Sequence, residues 1–216
     1  MELCPTTRRN NNSVISNRVF DCRNEREGRG HLMSVRSGIL GVLTLGPAYG
    51  LQLHSEISAR APHRGQVNVG QIYGTLDRLL KQGRIERAGS TADALPLYAL
   101  TPSGRDEALA WITGTAPVDT DWTEMLDRVL IASTVPSGDL DAVIDSYCRH
   151  WTALIASVED PDLASATTLA DAATAELAGA ALRWLARARD TAGSGTLVRP
   201  LTVARPRRGR PAASAS

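Results

Sequence analysis

The stretch VGQIYGTLDRLLKQG, residues 69–83, decides the fold that this sequence predicts. An apolar residue recurs at intervals of three, four and three, which is the spacing of one buried face on an α-helix. These apolar residues are Val69, Ile72, Leu76 and Leu79. The glycine at the end of the stretch is a residue type that commonly terminates helices. The stretch therefore predicts a helix over residues 69–82, with one apolar side and one polar side.

The polar side of this helix carries side chains that suit contact with DNA. Glutamine can hydrogen-bond adenine, arginine can contact guanine or phosphate, and threonine can meet the methyl group of thymine. The residues are Gln71, Thr75 and Arg78, with Tyr73 near the boundary and Asn68 placed to cap the helix or to touch a phosphate. A polar helix face can equally be a solvated surface. Its meaning therefore depends on the neighbouring elements.

Those neighbours predict a winged helix-turn-helix. Helices are expected over residues 34–45 and 49–61, and residues 84–87 and 97–100 read as two short strands joined by a polar loop. A further helix, capped by Thr101, is expected to run to residue 112. Three helices followed by a hairpin are the order of a module whose third helix enters the major groove while the hairpin reaches the flanking backbone. Arg84 and Arg87, on the first strand, are therefore candidate phosphate contacts.

Four regions are expected along the chain. They are a disordered N-terminal extension at 1–33, a winged-helix DNA-binding domain at 34–115, a helical dimerisation domain at 119–190 and a basic, disordered tail at 191–216. The fold class is therefore mainly α, with a two-stranded β-wing and a helical C-terminal dimerisation region.

Charge is segregated along the chain. Residues 118–190 contain thirteen acidic and five basic residues, whereas residues 191–216 contain five arginines and no acidic residue. Such a tail suits a polyanionic partner. Its Arg-Gly-Arg-Pro segment resembles the core of an AT-hook, which would place Arg208 and Arg210 in a narrow minor groove. A tail that is merely basic is the alternative.

Three helices are expected in the C-terminal half, over residues 122–133, 139–158 and 164–190, and each contains a tryptophan. The tryptophans are Trp122, Trp151 and Trp184. The first interpretation of these tryptophans is packing in the core and in the dimer, because tryptophan buries a large apolar area. The sharper hypothesis is an aromatic effector pocket at the dimer interface.

Nothing in the sequence indicates an enzyme. There is no catalytic nucleophile motif, no metal-ligand spacing and no phosphate-binding glycine loop, so neither a cofactor nor a metal is expected. The three cysteines, Cys4, Cys22 and Cys148, are far apart and fit a reducing cytoplasm. No apolar run reaches the length of a membrane span.

Several blocks of sequence resemble PadR-family transcriptional regulators. They are Gly38 to Leu43, Gly46 to Gly50, Gly70 to Leu79, Gly83 to Ile85 and Tyr98 to Arg105. The resemblance covers residues 38–112, and the later helices are similar to the dimerising part of the longer branch of the family. It implies a dimeric winged-helix regulator in a family composed mostly of repressors, some of which respond to small aromatic or hydrophobic molecules. Tyr73 falls on the tyrosine of the recognition motif.

Two positions depart from the family pattern. Leu51 stands where a tyrosine often follows the glycine, and Leu95-Pro96-Leu97 replace the basic residues that usually precede the wing tyrosine. The leading hypothesis is thus a sequence-specific homodimeric repressor that binds double-stranded DNA. A winged helix used for protein–protein contact, favoured by the leucine-bearing wing, is one alternative. A regulator whose C-terminal half is chiefly a ligand receptor is another.

Overall fold

The computed structural model describes residues 35–64, 67–159, 168–195 and 197–202. Its elements are α1 (residues 35–43), α2 (Gly50–Arg60), a short 3₁₀ turn (Pro62–Arg64), α3 (Val69–Lys81), β1 (Ile85–Ser90), β2 (Pro96–Leu100), α4 (Pro102–Ile112), α5 (Trp122–Ala132), α6 (Leu140–Glu159) and α7 (Thr168–Gly193). The described part is mainly helical with one two-stranded sheet, which confirms the fold class. The predicted extension at 1–33 lies outside the described residues.

Three helices begin at polar residues whose side chains close the first turn. Asn68, Thr101 and Asp121 each accept a hydrogen bond from the backbone N–H of the second or third residue of α3, α4 and α5. Those N–H groups have no partner within the helix, so a side-chain acceptor stabilises the helix by about 1 kcal/mol. The sequence signals for these helix starts are therefore local.

The two strands form the wing. They are antiparallel, with Ile85 opposite Leu100, and the pairing is irregular between residues 87 and 90. Gly89 has a φ of +96°, which lets the strand bulge there and continue beyond the end that the sequence predicted. Ala48, between α1 and α2, exchanges two backbone hydrogen bonds with Tyr98 of β2, at 2.9 and 3.1 Å. The wing is thereby tied to the helices.

Buried apolar residues form two clusters. The first lies among α1, α2, α3 and the wing, and includes Ile39, Leu53, Ile57, Ile72, Leu76 and Leu79. The second lies among α4, α5, α6 and α7, and includes Trp111, Met125, Tyr147, Trp151 and Leu185. Helix α4 contributes Ala108 to the first cluster and Trp111 to the second. It is thus shared by both halves of the fold.

The two clusters meet where α5 lies against α1. A Cβ atom added at Gly41 would be 3.1 Å from Cγ2 of Ile131, and one added at Gly38 would be 3.2 Å from its Cδ1. These distances are tighter than ordinary van der Waals contact. The two glycines thus allow the first helix of the winged-helix part to pack closely on α5.

Buried charges add a polar connection at the same place. Arg64, after α2, donates from Nε to both carboxylate oxygens of Asp127 on α5, at 2.6 and 2.7 Å. His63 Nε2 lies 3.0 Å from Oδ1 of the same residue. The next residue, Arg128, is fully buried and donates to carbonyl groups of α4 and the linker after it, including that of Trp111 at 2.6 Å. Helix α5 is therefore hydrogen-bonded both to the segment after α2 and to the end of α4.

Part of the C-terminal tail departs from the prediction. Residues 191–193 complete α7, and residues 197–202 lie against α2, where Leu201 packs on the first cluster. Their backbone is bonded by the side chains of Glu56 and Arg60. A disordered tail was predicted from composition, which does not register a segment held through its main chain. We call residues 197–202 the strap. The residues after Thr202 lie outside the described part.

Asp127→Asn is expected to lower the free energy of unfolding by about 3–5 kcal/mol, because it leaves the buried guanidinium of Arg64 without a counter-charge. The measurement is urea unfolding monitored by circular dichroism. Asp77→Asn is the matched control, because Asp77 forms an exposed ion pair with Lys81 at 2.7 Å. The control should change stability by less than about 1 kcal/mol. Similar small effects of the two substitutions would contradict this role for Asp127.

Candidate nucleic-acid interface

Helix α3 has the amphipathic surface that the sequence predicted, with one shift at its start. Ile72, Leu76 and Leu79 are buried, but Val69 is 38% exposed because it is the first residue of the helix. Gln71 is half-buried on the other side. Asn68 caps the helix by accepting a hydrogen bond from the N–H of Gly70 at 2.8 Å.

Thr75 does not project from α3, so its prediction as a direct DNA contact is wrong. It is 1% exposed, because it lies three residues after Ile72 and four before Leu79 and so shares their side of the helix. Its hydroxyl donates to the carbonyl of Gln71 at 2.8 Å and accepts from Nη2 of Arg78 at 3.0 Å. Thr75 therefore positions the exposed side chain of Arg78.

Tyr73 is 42% exposed and its ring lies on α2. A Cβ atom added at Gly50 would be 2.7 Å from both Cε1 and Cζ of that ring. Gly50 is thus a positioning residue that the sequence reasoning missed. Gly50 is the first residue of α2, and a glycine at a helix start, where other residues are also tolerated, is the signal that could have identified the close approach.

The arginines of the wing differ in their surroundings. Arg84 pairs with Glu107 of α4, with Nε 3.1 Å from Oε2, and Arg36 pairs with the same carboxylate. Burial, and then the charge of Arg84, lowers the pKa of Arg36. Arg87 is exposed farther along β1. The charge of Arg84 is therefore partly balanced within the protein, whereas Arg87 stands out on the wing.

The three predicted effector residues have different environments. Trp151 is fully buried and donates from Nε1 to Sδ of Met125 at 3.2 Å, so packing accounts for it. Trp184 lines a cavity of about 310 Å³ between α5, the start of α6, α7 and the strap. The ring of Trp122 stands 6.2 Å from that of Trp184, tilted by 55°.

This cavity is mostly apolar with one cationic side chain. The other residues that line it are Val129, Leu130, Ser133, Leu140, Arg187, Ala188, Thr191 and Leu197.

Arg208 and Arg210, predicted to bind DNA, lie outside the described residues. In the part of the chain that is described, no three carboxylate, histidine or cysteine side chains gather as a metal site. No helix there is long and apolar enough to cross a membrane.

The helix order, the hairpin and the exposed polar side of α3 define a winged helix-turn-helix. The family model described as "Transcriptional regulator PadR-like family" matches residues 39–110. Over these residues the chain is similar to PadR-like regulators, and the match supports a DNA-binding transcriptional regulator. No curated protein matches the chain.

Among solved structures, the chain is similar to PadR of Bacillus subtilis in complex with operator DNA, at 19% identity and a TM-score of 0.34, over 73% of this chain and 98% of that one. The same protein in complex with p-coumaric acid gives 19% and 0.34, over 74% and 99%. The PadR-like regulator BC1756 of Bacillus cereus gives 18% and 0.32, over 74% and 98%. TM-scores this low add nothing to the family match.

The hydroxyl of Thr75 gives a test of how Arg78 is held. Thr75→Val is nearly isosteric but cannot accept the hydrogen bond from Arg78, so DNA affinity should fall about tenfold, equivalent to one charge-assisted hydrogen bond. Thr75→Ser keeps the hydroxyl and is the control, with affinity expected within about twofold of the wild type. Affinities are measured by fluorescence anisotropy at fixed salt. Equal affinities of the two variants would contradict the positioning role.

Proposed function

We propose that this protein is a homodimeric, sequence-specific repressor whose helix α3 reads the operator in the major groove. The observation that carries the proposal is the pair of Gln71, which is half-buried, and Arg78, which is exposed and held by Thr75, on the polar side of α3. Glutamine and arginine pair with adenine and guanine edges, and contacts of this kind distinguish one base from another.

The remaining polar groups fit contacts with the DNA backbone. Asn68 lies at the start of α3, the ring of Tyr73 on α3 lies against Gly50 of α2, and Arg87 lies on the wing. Contacts with phosphates position a protein on the duplex without reading its sequence. We therefore propose that these three side chains contribute to the affinity for DNA and to the orientation of the protein on it, and that Arg84 contributes less.

A protein-binding winged helix is less well supported. That alternative drew on the leucines of the wing, but Leu95 and Leu97 are half-buried in the fold. They do not form an exposed apolar surface for a partner protein. The wing is therefore assigned to the flanks of the operator.

Helix α7 is the element that we propose for dimerisation. Leu185 is covered within the chain, but Leu169 is 87% exposed and Leu177 is 43% exposed, about two turns apart on the first half of the helix. A second copy that covers this surface would bury apolar area, which favours association. A two-fold dimer would place two α3 helices on half-sites one helical turn apart, or a multiple of it.

The cavity beside Trp184 is the place that we propose for an effector. Its volume of about 310 Å³ lies at the small end of the range for ligand sites. The apolar lining fits a hydrophobic or aromatic body, and Arg187 fits an acidic substituent. A regulator of this kind would act in the cytoplasm, beside the DNA.

The recognition helix is tested by Gln71→Ala and Arg78→Ala. Each should weaken operator binding by about 1–3 kcal/mol if the side chain contacts a base edge. Titrations are made at one salt concentration, on the operator and on unrelated DNA. The loss should be greater on the operator. Arg183→Ala on α7 is the control, because it removes an exposed arginine far along the chain from α3. Unchanged affinity in both α3 variants, with the helical content intact, would refute the assignment.

Assembly is tested by sedimentation. The protein should be a dimer at micromolar concentration, and Leu169→Glu combined with Leu177→Glu should shift it to a monomer, because carboxylates are costly to bury in an apolar interface. A wild-type monomer would contradict the dimer. A dimer that the double substitution does not weaken would show that α7 is not the interface.

A further inference from the structure

Helix α2 presents three polar side chains, one turn apart, to the strap. They are Gln52, Glu56 and Arg60, and the last two are each 2% exposed. Arg60 Nε donates to Oε2 of Glu56 at 2.9 Å. A buried ion pair is tolerated only when the remaining hydrogen-bonding positions of both groups are also occupied.

The backbone of the strap occupies those positions. Arg60 Nη2 donates to the carbonyls of Arg199 and Pro200, at 3.0 and 3.1 Å. The N–H of Thr202 donates to Oε1 of Glu56 at 2.6 Å. Burial alone would raise the pKa of Glu56, but the hydrogen bonds from Thr202 and Arg60 outweigh it and hold that pKa below the usual value.

The contacts also define the direction of the strap. Arg199 is bonded at Arg60, the last residue of α2, whereas the carbonyl of Thr202 accepts from Nε2 of Gln52, near its first turn, at 3.0 Å. The strap therefore runs antiparallel to α2 and ends toward Gly50, where the ring of Tyr73 rests. In a helix-turn-helix the helix before the recognition helix crosses the DNA backbone.

The sequence beyond the strap is strongly basic. Arg205, Arg207, Arg208 and Arg210 follow Thr202, with no acidic residue among residues 203–216. We propose that the strap is an anchor that delivers these arginines to the phosphate backbone of DNA beside the recognition helix. This inference rests on the proposed DNA-reading function of α3.

Docking of the strap shortens the length of chain between the basic residues and the nearest fixed point of the fold. With the strap docked, Arg205 is three residues from a fixed point at Thr202. With the strap released, it is twelve residues from Gly193, the last residue of α7. Effective concentration falls roughly as the −3/2 power of tether length, so release should dilute the arginines about eightfold near the operator.

The experiment combines strap variants with removal of the arginines. Thr202→Pro removes the backbone N–H that donates a hydrogen bond to Glu56, whereas Thr202→Ala keeps this N–H. Both are made in the full chain and in a chain that ends at Thr202. Operator affinity is titrated over a range of salt concentrations. Ending the chain at Thr202 should flatten the slope of log affinity against log salt by about 2–4 units per protomer, at about 0.9 per phosphate released.

In the full chain, Thr202→Pro should weaken operator binding by about three- to eightfold, and Thr202→Ala by less than about twofold. In the shortened chain the two variants should be equal. A second variant does not disturb the strap: six Gly/Ser residues inserted between Thr202 and Val203 should also weaken binding, because the tether from Thr202 is longer.

Three results would overturn the inference. One is an unchanged salt slope when the arginines are removed. Another is equal binding by Thr202→Pro and Thr202→Ala in the full chain. The third is an equal loss from Thr202→Pro in both chains, which would mean that the strap acts on α2 itself. Failure of the proposed function is separate: the chain ending at Thr202 would then not prefer the operator over unrelated DNA.

Discussion

Asp127 and Arg128 are adjacent, buried and oppositely charged, and each is bonded to a different part of the chain. Asp127 binds Arg64 after α2, while Arg128 donates to carbonyl groups at the end of α4 and in the linker. The carbonyls at the end of α4 have no partner within their own helix, so the guanidinium of Arg128 replaces the water that would otherwise solvate them. The remaining arrangement depends on this site, because α5 can keep both side chains bonded to their partners only in one position. The winged helix is thereby oriented relative to the helices that we propose for dimerisation, and the separation of two recognition helices in a dimer follows from it.

The spacing of apolar residues and the capping residues in the sequence were sufficient to predict most of the fold. The apolar residues of α3 recur with helical spacing, and capping residues such as Thr101 act within one turn. Both are local signals, so helices α1 to α7 and the wing could be located from the sequence. The error at Thr75 is also local: its spacing from Ile72 and Leu79 places it on the buried side, although its polarity favoured the exposed side.

Contacts between distant residues were not predictable in this way. Arg128 bonds to residues 110–117, and Arg60 bonds to Thr134 and to the strap. A buried arginine looks in the sequence like a solvated one, because its partners are main-chain carbonyls that every residue carries. The strap was missed for the same reason: a segment that is recognised through its backbone has no residue pattern of its own.

The guanidinium of Arg60 joins three parts of the molecule. Its Nη1 donates to the carbonyl of Thr134 after α5, its Nη2 to the strap, and its Nε to Glu56 on α2. Leu197, at the start of the strap, is also part of the wall of the cavity beside Trp184. The cavity, the strap and the helix before the recognition helix are therefore contiguous. A bound molecule shifts an equilibrium only by its difference in affinity between the two states. An effector in this cavity would release the strap from α2 only if it bound more tightly with Leu197 displaced. A ligand that fills the cavity and leaves Leu197 in place would instead stabilise the docked strap.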